Sequence, residues 1–131
     1  MIRPTVARID LDALKANYRR IVEYLAAEPR ERTPGVVAVV KANAYGHGLV
    51  PVARHLVGLG ARTLGVAFLE EAVALREAGV TVPILVMGGI FGDQIPIFLR
   101  HDLTMTASSI DKLRQIDETA GRMGVTARVH L

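Results

Sequence analysis

Cysteine is absent from this 131-residue chain. That excludes a disulfide framework and a thiolate metal site, and nothing in the composition points to export. Aromatic residues make up only 5% of the chain. No apolar run has the length of a membrane span. The opening Met1-Ile2-Arg3-Pro4 lacks the apolar stretch of a secretion signal. Long blocks of one charge are also missing. Arg19-Arg20 is short and Arg30-Glu31-Arg32 is mixed with acid, so a solvated surface explains them better than nucleic acid does. There is no low-complexity tract and no interdomain linker. The expectation is one domain's worth of a cytoplasmic protein with no membrane and no nucleic-acid partner. Its net charge of +3 remains compatible with a phosphate-bearing small molecule.

Half of the residues are hydrophobic, enough for a core, and their order is informative. Thr5 to Asp10 has weak alternation and predicts a short strand. Asp10 can cap a following helix with Leu11, Leu14, Tyr18, Ile21, Val22 and Leu25 along one stripe. Residues 28–35 hold two prolines and several charges and predict a loop. From Val36 onward strands and helices alternate. Strands are predicted at Val36–Val40, Thr63–Phe68, Pro83–Met87, Leu103–Thr106 and Val125–Leu131. Helices are predicted at Leu49–Leu59, Leu69–Glu77, Asp93–Arg100 and from Ser108 or Ser109 to Met123. Short links between them argue for βα units and a parallel α/β sheet. Five such strands make about half of a (β/α)8 barrel, which needs eight strands and roughly 250 residues. A doubly wound open sheet is the alternative from pattern alone.

The chemistry concentrates after the first of these strands. Gly35 precedes five apolar residues, and Lys41 arrives where the strand ends, followed by Ala42-Asn43-Ala44-Tyr45-Gly46-His47-Gly48. An ammonium held close to apolar surroundings is disfavoured in its charged form, which frees the amine to act as a nucleophile or base. Schiff-base chemistry with a carbonyl is the first hypothesis. A lysine that merely snorkels to solvent is the bland one. The chain has only two other lysines, Lys15 and Lys112. In a barrel, functional groups collect at the C-terminal ends of strands, where Lys41 falls. Tyr45 is in the same loop. Asn43 can shape that loop by bonding its own backbone, and Gly46 and Gly48 supply turn conformations. The glycines match neither a dinucleotide fingerprint nor a Walker loop. His47, His55, His101 and His130 have no paired spacing that suggests a metal. Gly88-Gly89-Ile90-Phe91-Gly92 could bind an anion, but a flexible strand-to-helix turn is favoured. Glu70 and Glu71 suit a helix start and are not assigned as catalytic acids.

The consecutive run Val39-Val40-Lys41-Ala42-Asn43-Ala44-Tyr45-Gly46-His47-Gly48 resembles the pyridoxal-phosphate lysine motif of alanine racemases. Arg3 to Leu14, Glu70 to Gly79 and Pro83 to Gly88 resemble further stretches of the same family. The resemblance implies that residues 1–131 are the incomplete N-terminal portion of a pyridoxal-phosphate barrel, about the first third of such an enzyme. It further implies a cytoplasmic isomerase that interconverts L- and D-alanine and so supplies D-alanine for bacterial cell-wall precursors. Lys41 would anchor pyridoxal 5'-phosphate and act as one of two acid/base groups, and Tyr45 would bond the cofactor phosphate. The second acid/base group would be a tyrosine from the other subunit of a homodimer. On this reading the 131 residues alone are inactive and expose unpaired sheet edges. A non-catalytic half-barrel, or a related barrel-type amino-acid racemase or decarboxylase, stays open as an alternative.

Overall fold

A computed structural model describes residues 5–27 and 31–131. Two compact units make up the chain, residues 1–34 and residues 35–131. The first contains helix α1 (Leu11–Ala27). Asp10 starts it as expected, its Oδ1 accepting from the Ala13 amide at 2.9 Å. The strand expected at Thr5–Asp10 is not formed. Weak alternation favours extended backbone, but a strand exists only through its ladder, and these residues make none.

The second unit runs β1 (Val37–Val39), α2 (Lys41–Tyr45), α3 (Leu49–Gly58), β2 (Thr63–Val66), α4 (Leu69–Glu77) and β3 (Ile84–Val86). A short 3₁₀ turn at Gly92–Gln94 follows, then α5 (Ile95–Arg100), β4 (Thr104–Thr106), α6 (Ile110–Met123) and β5 (Arg128–His130). Each strand is shorter than its apolar run, because the residues at either end leave the ladder for the connecting turns. The helix boundaries follow local chemistry. Pro96 stands in the first turn of α5, where a missing N–H is harmless. Ser109 Oγ accepts from the Lys112 amide at 3.1 Å, a side-chain N-cap, and Gly124 at φ 67° closes α6.

The five strands pair in the order β1-β2-β3-β4-β5, and every pair is parallel. A doubly wound sheet would reverse its order at a switch point. Here each strand joins its predecessor by a crossover of constant hand, which stacks the helices on one face, as in a barrel wall.

Register divides the side chains cleanly. Ala38 pairs with Leu64, Leu64 with Ile84 and Val66 with Val86, Val86 with Met105, and Met105 with Val129. This is the helix-covered face. Val40, Leu64, Val66, Ile84, Val86 and Met105 are fully buried there, joined by Leu75, Ile95, Phe98 and Ile116 from the helices. The other face carries Val37, Val39, Gly65, Leu85, Thr104 and Thr106. Val37 is 43% exposed and Val39 38%. The sequence alone assigns Val37, Val39, Val66, Leu85 and Val129 to the barrel interior, but Val66 and Val129 lie on the helix-covered face, where the period of two puts them. Val37, Val39 and Leu85 do lie on the open face. Within this unit β1 pairs only with β2, and β5 only with β4.

Candidate active site

The C-terminal ends of β1, β2 and β3 form one rim of the sheet. Val40 leaves the strand at φ −125° and ψ 20°, and its amide still donates to the Gly65 carbonyl at 2.8 Å. Lys41 follows directly, half-buried, where a barrel collects its chemistry. Among the described residues no ion pair involves its ammonium.

The loop after Lys41 is a turn of helix of the wrong hand. Ala42, Asn43, Ala44 and Tyr45 have φ of 52°, 56°, 52° and 54°. Left-handed backbone costs roughly 1–2 kcal/mol for a residue with a Cβ, and it is normally confined to single residues. Four in a row therefore need support. Hydrogen bonds inside the turn supply part of it. Ala44 N–H donates to Val40 C=O at 2.8 Å, Gly46 to Ala42 at 3.0 Å and Gly48 to Asn43 at 2.9 Å. Asn43 Oδ1 accepts from the Leu49 amide at 2.8 Å, so this side chain caps α3 from six residues back. His47 Nδ1 sits 2.9 Å from the Ala44 carbonyl and 3.1 Å from that of Tyr45. The imidazole is thus a local clamp. Gly46 at φ 84° and Gly48 at φ 99° return the chain to α3.

A carboxylate supplies the rest. Glu71 Oε1 accepts from the Ala42 amide at 2.6 Å. Its Oε2 accepts from the Ala67 amide at 2.8 Å and the Phe68 amide at 3.2 Å. The Phe68 bond is the carboxylate half of a capping box, satisfying an orphan amide at the start of α4. The Ala42 bond ties the β1 rim to the β2 rim. The link continues to β3, where the Gly88 amide donates to the Ala67 carbonyl at 2.9 Å. A Cβ on Gly88 would stand 2.3 Å from that carbonyl oxygen, so only glycine permits this approach. The segment Gly88–Gly92 is otherwise a plain strand-to-helix turn.

The two residues singled out from sequence, Lys41 and Tyr45, open and close this turn. Tyr45 is 59% exposed, and among the described residues no protein group bonds its hydroxyl. Below the rim, Gly65 keeps the open face flat: a Cβ there would lie 3.3 Å from both Val37 Cγ1 and Val39 Cγ2 and 3.6 Å from Met87 Cε. The site thus offers an amine, a free phenol and a shallow apolar shelf. Sequence reading missed Glu71, which it explained by the helix dipole alone, and it missed the handedness of the turn. The signal for Glu71 was its place three residues after the helix N-cap. Nothing announced the handedness, because alanine rarely adopts it. A groove of mixed polarity lined by Leu113, Ile116, Asp117, Ala120, Thr126 and Val129 lies between α6 and β5, away from this rim.

Comparison with known proteins places this arrangement. A family model described as "Alanine racemase, N-terminal domain" matches residues 9–131. The alanine racemase of Geobacter sulfurreducens is 41% identical over 128 residues, covering 98% of this chain and 32% of that protein. The solved alanine racemase of Clostridium difficile 630 in complex with cycloserine superposes with a TM-score of 0.88 at 34% identity, covering 100% of this chain and 35% of that one. A histidine racemase from Leuconostoc mesenteroides superposes with a TM-score of 0.79 at 29% identity, covering 91% and 30%. The chain spans about a third of the length of the curated relatives it matches. It belongs to the alanine racemase N-terminal domain family.

Proposed function

We propose, from that family membership, that the whole protein is a pyridoxal-phosphate-dependent isomerase interconverting L- and D-alanine. On this reading residues 1–131 form the N-terminal portion of its barrel domain. The observation that carries the proposal is Lys41, half-buried at the end of β1 and opening the left-handed turn. The shelf around Gly65 and the free Tyr45 phenol suit a flat, phosphate-bearing cofactor. Lys41 would hold its aldehyde carbon through Nζ, and the Tyr45 hydroxyl would donate to its phosphate. When bound, pyridoxal phosphate draws electrons away from the substrate Cα and eases loss of its proton.

Lys41 Nζ, once free, takes or returns a proton on one face of Cα. Inversion needs a second acid/base group on the other face, because one amine reaches only one side. We assign that group to a tyrosine of the partner subunit in a homodimer, outside residues 1–131. A cytoplasmic location and the supply of D-alanine for cell-wall precursors go with this reading. Among the described residues, no helix is long and apolar enough to cross a membrane.

Borohydride reduction of the full-length gene product in the presence of pyridoxal phosphate tests the proposal. Mass analysis should find the cofactor fixed on the peptide containing Lys41, and Lys41→Arg should abolish both fixation and racemisation, because a guanidinium stays protonated. Fixation on Lys15 or Lys112 with Lys41 unmodified would overturn it. The likeness to a histidine racemase favours a second reading of the substrate, a different amino acid on the same machinery. Assay against L-alanine and L-histidine side by side separates the two.

A further inference from the structure

We infer that Glu71 is a positioning residue that sets where the Lys41 amine stands; this rests on the role proposed for Lys41. Left-handed backbone begins at Ala42, directly after Lys41, so the orientation of the peptide between them fixes the direction in which the lysine side chain leaves the rim. Its N–H is held by a single group, Glu71 Oε1, at 2.6 Å and across 29 residues of sequence.

Capping of α4 does not require this. Oε2 alone receives both local amides, Ala67 and Phe68. The other oxygen is given wholly to the lysine turn. The link is also selective in chemistry. Three N–H donors converge on one side chain, and only an ionised carboxylate offers acceptors on both of its atoms. A carboxamide has one acceptor, so its NH2 must face either Ala42 or the α4 amides, donor against donor. An aspartate keeps the charge at the start of the helix but is one methylene short of Ala42. Without this bond the turn loses its only tie to the β2 rim found among the described side-chain hydrogen bonds, and its four left-handed residues can relax toward ordinary backbone.

The test uses the full-length gene product as wild type, Glu71→Gln and Glu71→Asp. First, amide exchange at residues 42–45 is compared in protein stripped of cofactor. Second, the rate of borohydride fixation of pyridoxal phosphate at Lys41 is compared. Third, kcat and KM for alanine are measured on protein shown to be folded by its thermal transition. Both variants should exchange faster at 42–45 and fix cofactor more slowly at Lys41. Their kcat should fall on the order of tenfold to a hundredfold, the scale of a small misplacement of a reacting group, with a smaller change in KM.

Glu71→Asp, which keeps the helix-start charge, separates the lysine tie from the cap. Unchanged exchange and unchanged fixation in both variants would overturn the inference. So would a loss of activity fully accounted for by a smaller folded fraction. Failure to fix cofactor at Lys41 in the wild type would instead overturn the proposed function, and the exchange comparison would still decide whether Glu71 holds the turn.

Discussion

Helix α4 carries one charged anchor at each end, and the two differ in what they hold. At the C-terminal rim of the sheet Glu71 gathers three backbone N–H groups. At the opposite rim Arg76 gathers four backbone carbonyls: Val80 at 2.7 Å, Val82 at 2.8 Å, His101 at 3.0 Å and Asp102 at 3.1 Å. Both placements suit the helix dipole, acid at the start and base at the end. Arg76 is buried enough that desolvation lowers its pKa from the ordinary arginine value, against the pull of nearby Asp102. Its guanidinium serves the loops that enter β3 and β4. Around it Asp102, at φ 48°, is the one residue with a Cβ in left-handed backbone, and Gly79, at φ 81°, takes that conformation without strain. Around Glu71 four consecutive residues with a Cβ adopt it. One end uses charge to tie relaxed loops together; the other uses it to hold a strained loop in place. In a barrel the first end reads as stability and the second as function.

Substitutions can break this contrast, and the largest effect belongs to the stabilising end. Arg76→Ala removes four charge-assisted bonds to carbonyls. Their losses are not additive, and the variant should lose roughly 2–4 kcal/mol of stability in urea unfolding. Activity per folded molecule should be unchanged. A fall in kcat as large as that of the Glu71 variants would erase the distinction between the two rims.

Tyr45→Phe probes the functional end. Loss of one hydrogen bond to a charged phosphate should weaken pyridoxal-phosphate affinity by about 1.5–3 kcal/mol, roughly ten- to a hundredfold, with the unfolding midpoint unmoved. Equilibrium dialysis measures it, and unchanged affinity would make Tyr45 a packing residue.

Asn43→Ala tests the support of the left-handed turn itself. It removes the bond to the Leu49 amide and puts a less tolerant residue in left-handed backbone, so about 1–2 kcal/mol of stability should go. A stability-neutral result would mean that Asn43 does not support the turn.

The smallest effect is the most telling in sign. Ala42→Gly relieves left-handed strain and should raise stability by about 0.5–1 kcal/mol, less the entropy that glycine loses on folding. Activity should fall, because the turn is then less well held. A variant both more stable and fully active would show that the strain at Ala42 serves nothing.

Much of this molecule was legible in the sequence for identifiable reasons. Helices α3 to α6 announced themselves by start or stop signals, such as Pro96, Ser109 or Gly79, whereas α2 was read as a loop. The parallel sheet followed from alternating short elements. The division of Val37 and Val39 from Val66 and Val129 was harder. It depends on register between strands, and register is a pairing property that no single run of residues contains. Lys41 and Tyr45 stood out as candidates because the Val39–Gly48 run resembles a family motif and holds both in one short loop. Glu71 was not, since its partner Ala42 is 29 residues away and alanine advertises no need for one. The strand expected at Thr5–Asp10 failed for the same reason as the register: local propensity names no partner.

The strand order has a consequence for how the sheet can be built. Paired positions in neighbouring strands are 26 residues apart for Val39 and Gly65, 20 for Gly65 and Leu85, 19 for Leu85 and Thr104, and 24 for Thr104 and Arg128. Within the five-stranded sheet of the described residues, every pairing joins strands that are neighbours in sequence. Closing loops of such similar length carries nearly the same entropy each time, since that entropy grows only slowly with length. The sheet can therefore lengthen in step with synthesis, each new unit finding its template already laid down beside it.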